Sequence, residues 1–342
     1  MSVGLPQSMR ACQWSSAAGG LEKNLKVNGS ASLPKGASSL SKDQTLVKVS
    51  YSALNPVDFK LPELPIVGQF VIKKPASPCM DYSGRVVATG RSDIKPGQLV
   101  FGKLEPPQFG ALAEYIVVGR EGVVPLPEGV KLQDAGCVGV AGLTAYQCIV
   151  PNVKNGDKVF INGGSGGTGS FGIQIAKAMG CYVATSCSGA NVELCKSIGA
   201  DEVIDYKSED VIQTLKRKGT QFDLVVDNVG SPDLYWQSHH YLKTSGKVVT
   251  VGASPGLQVV IDMLKIFLWP SLLGGGQRKF QFLTCVVNAK QFAHIGEMMK
   301  EGKVKPVVDE VYNLEDASRA FQKLKSGGFR GKLVVKIAGD NV

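Results

Sequence analysis

The chain has 342 residues, 44% of them hydrophobic, with 38 basic against 29 acidic side chains and a net charge of +9. That length suits two domains, the apolar share is enough for proper cores, and 41 glycines exceed the usual share of about 7%. The basic residues are scattered rather than gathered in a block, which argues against a nucleic-acid partner and leaves a mild attraction for anionic ligands. At the N-terminus, MSVGLPQSMR lacks the apolar run of about 7–15 residues that a signal peptide carries, so secretion is not expected. Residues 9–126 then read as β-rich. Met9–Trp14, Thr45–Ala53, Gly84–Gly90, Leu99–Gly102 and Leu112–Val118 alternate or cluster apolar residues between Gly, Pro and Asp turns, and no helical period runs through this part.

From about Val138 the pattern changes to strand–helix alternation. Strands are expected at Val159–Ile161, Tyr182–Ser186, Glu202–Asp205, Leu224–Asp227, Lys247–Gly252 and Phe280–Val287, with helices between them, which makes a doubly wound parallel sheet. Between the last two strands, Met263–Gly276 (MLKIFLWPSLLGGG) is apolar but interrupted by Lys265 and Pro270, and is too short for a span of about 20 residues. It reads as a loop–helix lid or a subunit contact, with peripheral membrane contact as the minor alternative. A helix near Ala289–Glu301, the segment Lys305–Tyr312, a helix Leu314–Ser326 and a strand Lys332–Ile337 complete the chain and are expected to rejoin the β-rich part.

The stretch most informative for chemistry is VFINGGSGGTG, Val159 to Gly169. An apolar strand runs into Gly164-x-Gly166-x-x-Gly169, and Phe171, Ile173, Ile175, Ala176 and Met179 follow at helical spacing. Such a loop supplies a tight turn, a close backbone approach and the N–H groups of a helix start, which together bind pyrophosphate. Gly164, Ser165, Gly166, Gly167 and Thr168 are therefore expected cofactor contacts. An NAD site places an acid about 20 residues past the motif, on the ribose 2′-OH. Here Thr185-Ser186-Cys187-Ser188-Gly189-Ala190-Asn191 has no carboxylate before Glu193, so NADPH is the expected cofactor, with Ser188 and Asn191 as donors to its 2′-phosphate. Ser188 also suits a turn or a helix cap.

Further motifs occur in a fixed order: ALNPVDFK (Ala53–Lys60), MDYSG (Met80–Gly84), AGLTAYQ (Ala141–Gln147), the glycine loop, GADEVIDY (Gly199–Tyr206) and FRGK (Phe329–Lys332). Together, over about residues 9–337, they make the chain resemble the zinc-independent quinone oxidoreductase and enoyl reductase branch of the medium-chain dehydrogenase/reductase superfamily. The resemblance implies an α/β protein with a GroES-like β-rich catalytic domain (1–137, with a C-terminal return at 289–342), a Rossmann domain (138–288), and NADPH between them. It places Asn55, Asp58 and Lys60 at the nicotinamide-ribose edge, with Thr144 in the cleft as a further cofactor contact. Val140, Leu143, Tyr146 and Gln147 would line the substrate site, Val251 and Gly252 pass the nicotinamide, and Tyr206 and Lys332 approach the adenosine phosphate or the diphosphate. Asn55, Lys60 and Tyr146 are the candidate catalytic residues, although Lys60 also suits a surface charge, Asp58 a turn cap and Tyr146 plain packing. The pattern departs at Cys79, where the family usually has glycine, and at Ala190, where plant relatives have arginine.

No metal site is expected. Asn55 and Asp81 stand in the segments that carry ligands in zinc alcohol dehydrogenases, and no cysteine lies between Cys79 and Cys137 to build a four-cysteine cluster. His239, His240 and His294 fall on expected helices of the Rossmann side. The eight cysteines form no CxxC pair and read as buried thiols of a reducing compartment, so a cytoplasmic location is expected. Hydride transfer to an already electrophilic carbon remains. The expected substrate is a small molecule, free or carrier-bound: an enone, enal or enoyl thioester, with a quinone as the alternative. A non-catalytic NADPH-binding protein, or one that docks on a biosynthetic synthase, is the contrasting reading, and the chain is expected to be a monomer or homodimer.

Overall fold

The computed structural model describes residues 4–64, 66–105, 108–251, 265–266 and 276–340. By its internal contacts the chain divides into two units. The first comprises residues up to Leu143, Val286–Gly302 and the chain from Pro306 on, and the second comprises Thr144–Cys285 with Lys303–Lys305.

In the N-terminal stretch the strands are β1 (Met9–Gln13), β2 (Lys26–Ala31), β3 (Gln44–Ala53), β4 (Asp81–Thr89), β5 (Leu99–Lys103), β6 (Tyr115–Gly119) and β7 (Val123–Pro125). The expected strands of this part are present, but it is not free of helix: Val57–Glu63 forms one. That helix is short and contains Pro62, so it leaves no apolar period to read. Strand β2 (KVNGSA) escapes the pattern because five of its six residues are exposed.

The second unit holds β8 (Lys158–Asn162), β9 (Tyr182–Cys187), β10 (Glu202–Asp205), β11 (Phe222–Asp227), β12 (Leu242–Thr250) and β13 (Lys279–Phe282). They pair in the order β10-β9-β8-β11-β12-β13, every pair parallel. This is the doubly wound order with its switch point beside β8, the place where such sheets bind ligands. Val159, Phe160 and Ile161 of β8 are fully buried, as a central parallel strand requires. Strand β13 ends at Phe282, short of the expected Val287, and Gly252 and most of Met263–Gly276 lie outside the described residues.

The chain ends with β14 (Val308–Asn313) and β15 (Lys332–Lys336). Strand β15 lies antiparallel to β3, extending the first unit's sheet to the order β14-β15-β3-β4-β5-β7, with β6 also on β3. Helix Ala317–Ser326 covers this sheet through Ala317, Ala320, Phe321 and Leu324, spaced as one helical face, and ends at Gly327 with φ +72°. His294 sits on helix Ala289–Lys300 of this first unit, which corrects its expected place on the Rossmann side. No helix among the described residues is long and apolar enough to cross a membrane.

Candidate functional site

The glycine loop leaves the end of β8 and is clamped by the ends of its two neighbours. Asn162 donates to the Asp227 carboxylate of β11 at 2.9 Å and accepts from the Ser186 hydroxyl of β9 at 2.6 Å. Ser186 in turn accepts the N–H of Gly163 on its hydroxyl (3.1 Å) and that of Gly164 on its carbonyl (2.8 Å). Asp227, which the sequence patterns did not single out, also accepts the N–H groups of Val229, Gly230 and Ser231 and so fixes the neighbouring loop. The three motif glycines differ in what they do. A Cβ on Gly164 would lie 2.0 Å from the Thr185 hydroxyl, and one on Gly169 would lie 2.1 Å from the Gly163 carbonyl, so the fold itself demands both. A Cβ on Gly166 would meet only the Gly163 carbonyl, at 3.5 Å, and its φ of −79° suits any residue. Gly166 caps helix Gly167–Ala178 with no side-chain hydrogen bond, which leaves the first N–H groups of the helix unspent.

Beside this loop, the Asn191 amide reaches the hydroxyls of Ser165 and Ser188, each at 3.2 Å, so the three residues form one polar cluster. Tyr206 is 52% exposed just beyond β10, its N–H on the Cys187 carbonyl, and the Lys207 ammonium lies 5.5 Å from its ring centre. Lys207 is a cation that the motif reading overlooked. A carboxylate also approaches from β10: a Cβ on Gly189 would lie 2.6 Å from Asp205. Parallel pairing of Asp205 with Cys187 brings it there, which no local spacing could reveal.

In the first unit, Asn55, Asp58, Asp81 and Lys332 form a buried cluster, none more than 3% exposed. The Lys332 ammonium donates to the Asn55 side chain and to the Leu54 carbonyl at 2.9 Å, and lies 3.4 Å from Asp81. Asn55 donates to the same Asp81 oxygen at 2.9 Å, and the other Asp81 oxygen accepts the Val140 N–H at 2.7 Å. The Lys332 ammonium, expected at a cofactor phosphate, is thus buried and directed at three protein oxygens. Burial outweighs the nearby Lys332 and holds the Asp81 carboxyl above its usual range.

Asp58 accepts the Asn55 N–H at 2.7 Å, while its other oxygen is buried without a partner among the described residues. Burial, reinforced by the charge of Asp81, pushes it up to about 7 from an ordinary 3.8. The folded state thus binds this proton more tightly than the unfolded chain. Its contribution to stability is full below about pH 4 and is lost as pH rises to about 7. Asp58→Asn should therefore gain stability relative to the parent across that window and hold the gain above it. Urea unfolding of both proteins at a series of pH values checks this, and a difference independent of pH would contradict it.

The remaining candidates divide between the units. Lys60 is half-buried on helix Val57–Glu63, and burial lowers its pKa. Val140 is half-buried and Leu143 is fully buried, so Leu143 can shape a wall but presents no surface to a substrate. Thr144 is 6% exposed, Tyr146, Gln147 and Val251 are half-buried, and burial raises the Tyr146 phenol above its ordinary value. Cys79, where the resemblance leads one to expect glycine, has φ +70°, a conformation natural to glycine and strained for cysteine.

Residues 198–335 match the family model described as zinc-binding dehydrogenase, and residues 41–128 match the alcohol dehydrogenase GroES-like domain. The chain is 50% identical to the trans-enoyl reductase pgmF of Aspergillus terreus, over 98% of each protein. It is 31% identical to the chloroplastic quinone-oxidoreductase QR1 of Triphysaria versicolor, over 86% of this chain and 90% of that one. Among solved structures, the quinone oxidoreductase from Coxiella burnetii superposes with a TM-score of 0.82 at 29% identity, covering 96% of this chain and 99% of that one. Lys332 already occupies Asn55 and Asp81, and no three His, Cys, Asp or Glu residues among those described could hold a metal ion together.

Proposed function

The chain belongs to the medium-chain dehydrogenase/reductase superfamily of nicotinamide-dependent oxidoreductases, and we propose that it uses NADPH to reduce an activated carbon–carbon double bond in an enone, enal or enoyl thioester, without a metal. One observation carries this reading: an open dinucleotide loop with no acid at the end of β9, in a chain half identical to a trans-enoyl reductase along nearly its whole length. The backbone of Gly164 to Thr168 would hold the pyrophosphate. Ser188, Asn191 and Lys207 would receive the 2′-phosphate, with Tyr206 against the adenosine. Asn55, Thr144 and Val251 are the candidate contacts for the nicotinamide half, along with Gly252, and Asp58 acts on Asn55 through its N–H. When bound, the dihydronicotinamide supplies a hydride. The protein must then stabilise charge on the substrate oxygen and deliver a proton. Lys60, its ammonium form disfavoured by burial, and the Tyr146 phenol are the candidate donors. The names of the chloroplastic and Coxiella relatives favour quinone reduction as the second reading.

Two measurements on the purified chain test the proposal. NADPH oxidation should be faster with an enoyl thioester or enone than with a quinone, and a chelator should leave it unchanged. Turnover of quinones alone, or loss of activity with the metal, would replace the reading. Fluorescence titration should show NADPH bound more tightly than NADH, and Ser188→Asp should weaken NADPH at least about tenfold, or ~1.4 kcal/mol, by like-charge contact. Equal or tighter NADH binding by the unmodified chain would overturn the cofactor assignment, with Asp205 as the responsible carboxylate.

A further inference from the structure

In the second unit, the acid missing from the loop after β9 is supplied by the next strand. Strand β10 runs parallel to β9 and sets Asp205 opposite Cys187, the residue before Ser188. The side chain is fixed there. Its Oδ1 accepts the Lys207 N–H at 2.9 Å, and the main-chain carbonyl of the same residue accepts the N–H groups of Ser208 and Glu209, each at 3.0 Å. Its Oδ2 is turned to the loop: a Cβ on Gly189 would lie 2.6 Å from it. Gly189 lacks the positive φ that makes glycine necessary at a turn, so what demands glycine there is the close approach of Asp205.

A negative charge thus stands beside the loop on which the Asn191 amide gathers the Ser165 and Ser188 hydroxyls, while the neighbouring Lys207 holds its ammonium at the Tyr206 ring. Two effects of opposite sign follow for a nucleotide bound here. A carboxylate accepts a hydrogen bond from a ribose hydroxyl, as the acid of an NAD site does, and it repels a phosphate carried on the same ribose. Lys207, Ser188 and Asn191 offset that repulsion by attraction and by donated hydrogen bonds.

We propose that Asp205 is the residue that limits this chain's selectivity for NADPH: its carboxylate meets the adenosine ribose from β10, favours a free 2′-hydroxyl and disfavours a 2′-phosphate. The inference rests on the dinucleotide reading above and extends it from which cofactor binds to what holds the preference down. Calorimetric titration of the full chain with 2′,5′-ADP and with 5′-AMP, which differ by the 2′-phosphate, is the test. Asp205→Asn keeps an acceptor for the Lys207 N–H and removes the charge. It should raise the ratio of 2′,5′-ADP affinity to 5′-AMP affinity at least about tenfold, by tightening the first and weakening the second. The gain should shrink when salt is raised from about 0.1 M to about 1 M, where the screening length falls from about 10 Å to about 3 Å. A change in loop structure alone would carry no such dependence. Glu209→Gln removes the same charge farther along the chain, from a side chain engaged by Thr214 and Arg217, and should leave the ratio at its parental value. Asp205→Ser, which also retains an acceptor, repeats the test if the asparagine chain does not fold. A parent chain that binds neither NADPH nor 2′,5′-ADP would overturn the dinucleotide reading and this inference together. A parent that binds both, with an Asp205→Asn chain of unchanged ratio or one whose gain survives high salt, would overturn the role of Asp205 alone.

Discussion

Gly166→Val is expected to abolish stabilisation by NADPH while costing the unliganded protein only ~1 kcal/mol. The small cost follows from the open space around the would-be Cβ, whose nearest contact is at 3.5 Å, and from a φ of −79° that valine adopts freely. What remains is the loss of a tolerable N-cap residue. The large effect follows because valine would place two methyl groups over the unspent N–H groups of helix Gly167–Ala178, the proposed seat of the pyrophosphate. At NADPH 100-fold above its dissociation constant, the parent should gain about 2.7 kcal/mol by linkage. The variant should gain nothing. Gly169→Ala is the control of opposite kind: its Cβ would lie 2.1 Å from the Gly163 carbonyl, so the unliganded fold itself should suffer. Thermal unfolding of the three proteins with and without NADPH separates the cases. A Gly166→Val chain that is folded and still stabilised would show that the dinucleotide does not lie on this loop.

The parallel sheet and its glycine loop are legible in the sequence because both are local. Apolar runs such as Val159–Ile161 are buried on both faces, and the fingerprint glycines sit within six positions of one another. What is illegible is whatever depends on partners far along the chain. Lys332 follows a glycine near the C-terminus and reads as a phosphate-seeking cation. Only the antiparallel pairing of β15 with β3 brings it to Leu54 and Asn55, 278 and 277 positions away. Asp205 reaches the end of β9 by strand pairing alone, and Lys103 sits in a run, LVFGKLE, that gives no sign of a buried charge. The same limit applies within the loop: a glycine the fold demands and a glycine the ligand demands look alike in a motif. They separate only when the space around each is known.

Lys332→Met should destabilise the chain by about 3–5 kcal/mol, the usual cost of stripping one partner from a buried ion pair. Its stem is packed in the first unit, so methionine replaces the volume and the loss is electrostatic. Asp81 would remain at 0% exposure with the Asn55 amide and the Val140 N–H bonded to it and the more distant Lys103 charge to favour its ionised form. It would then take up a proton, so the penalty should shrink as pH falls. Asp81→Leu alone should also be costly, by orphaning the ammonium and releasing the Val140 N–H. The double variant should recover most of the loss, because an apolar pair removes both desolvation penalties. Urea midpoints for the four proteins, at unchanged slope, measure the coupling. NADPH affinity of the folded Lys332→Met chain decides the lysine's role: near-parental binding fits an ammonium spent on Asn55 and Asp81. A stable variant that has lost NADPH would return Lys332 to the phosphate.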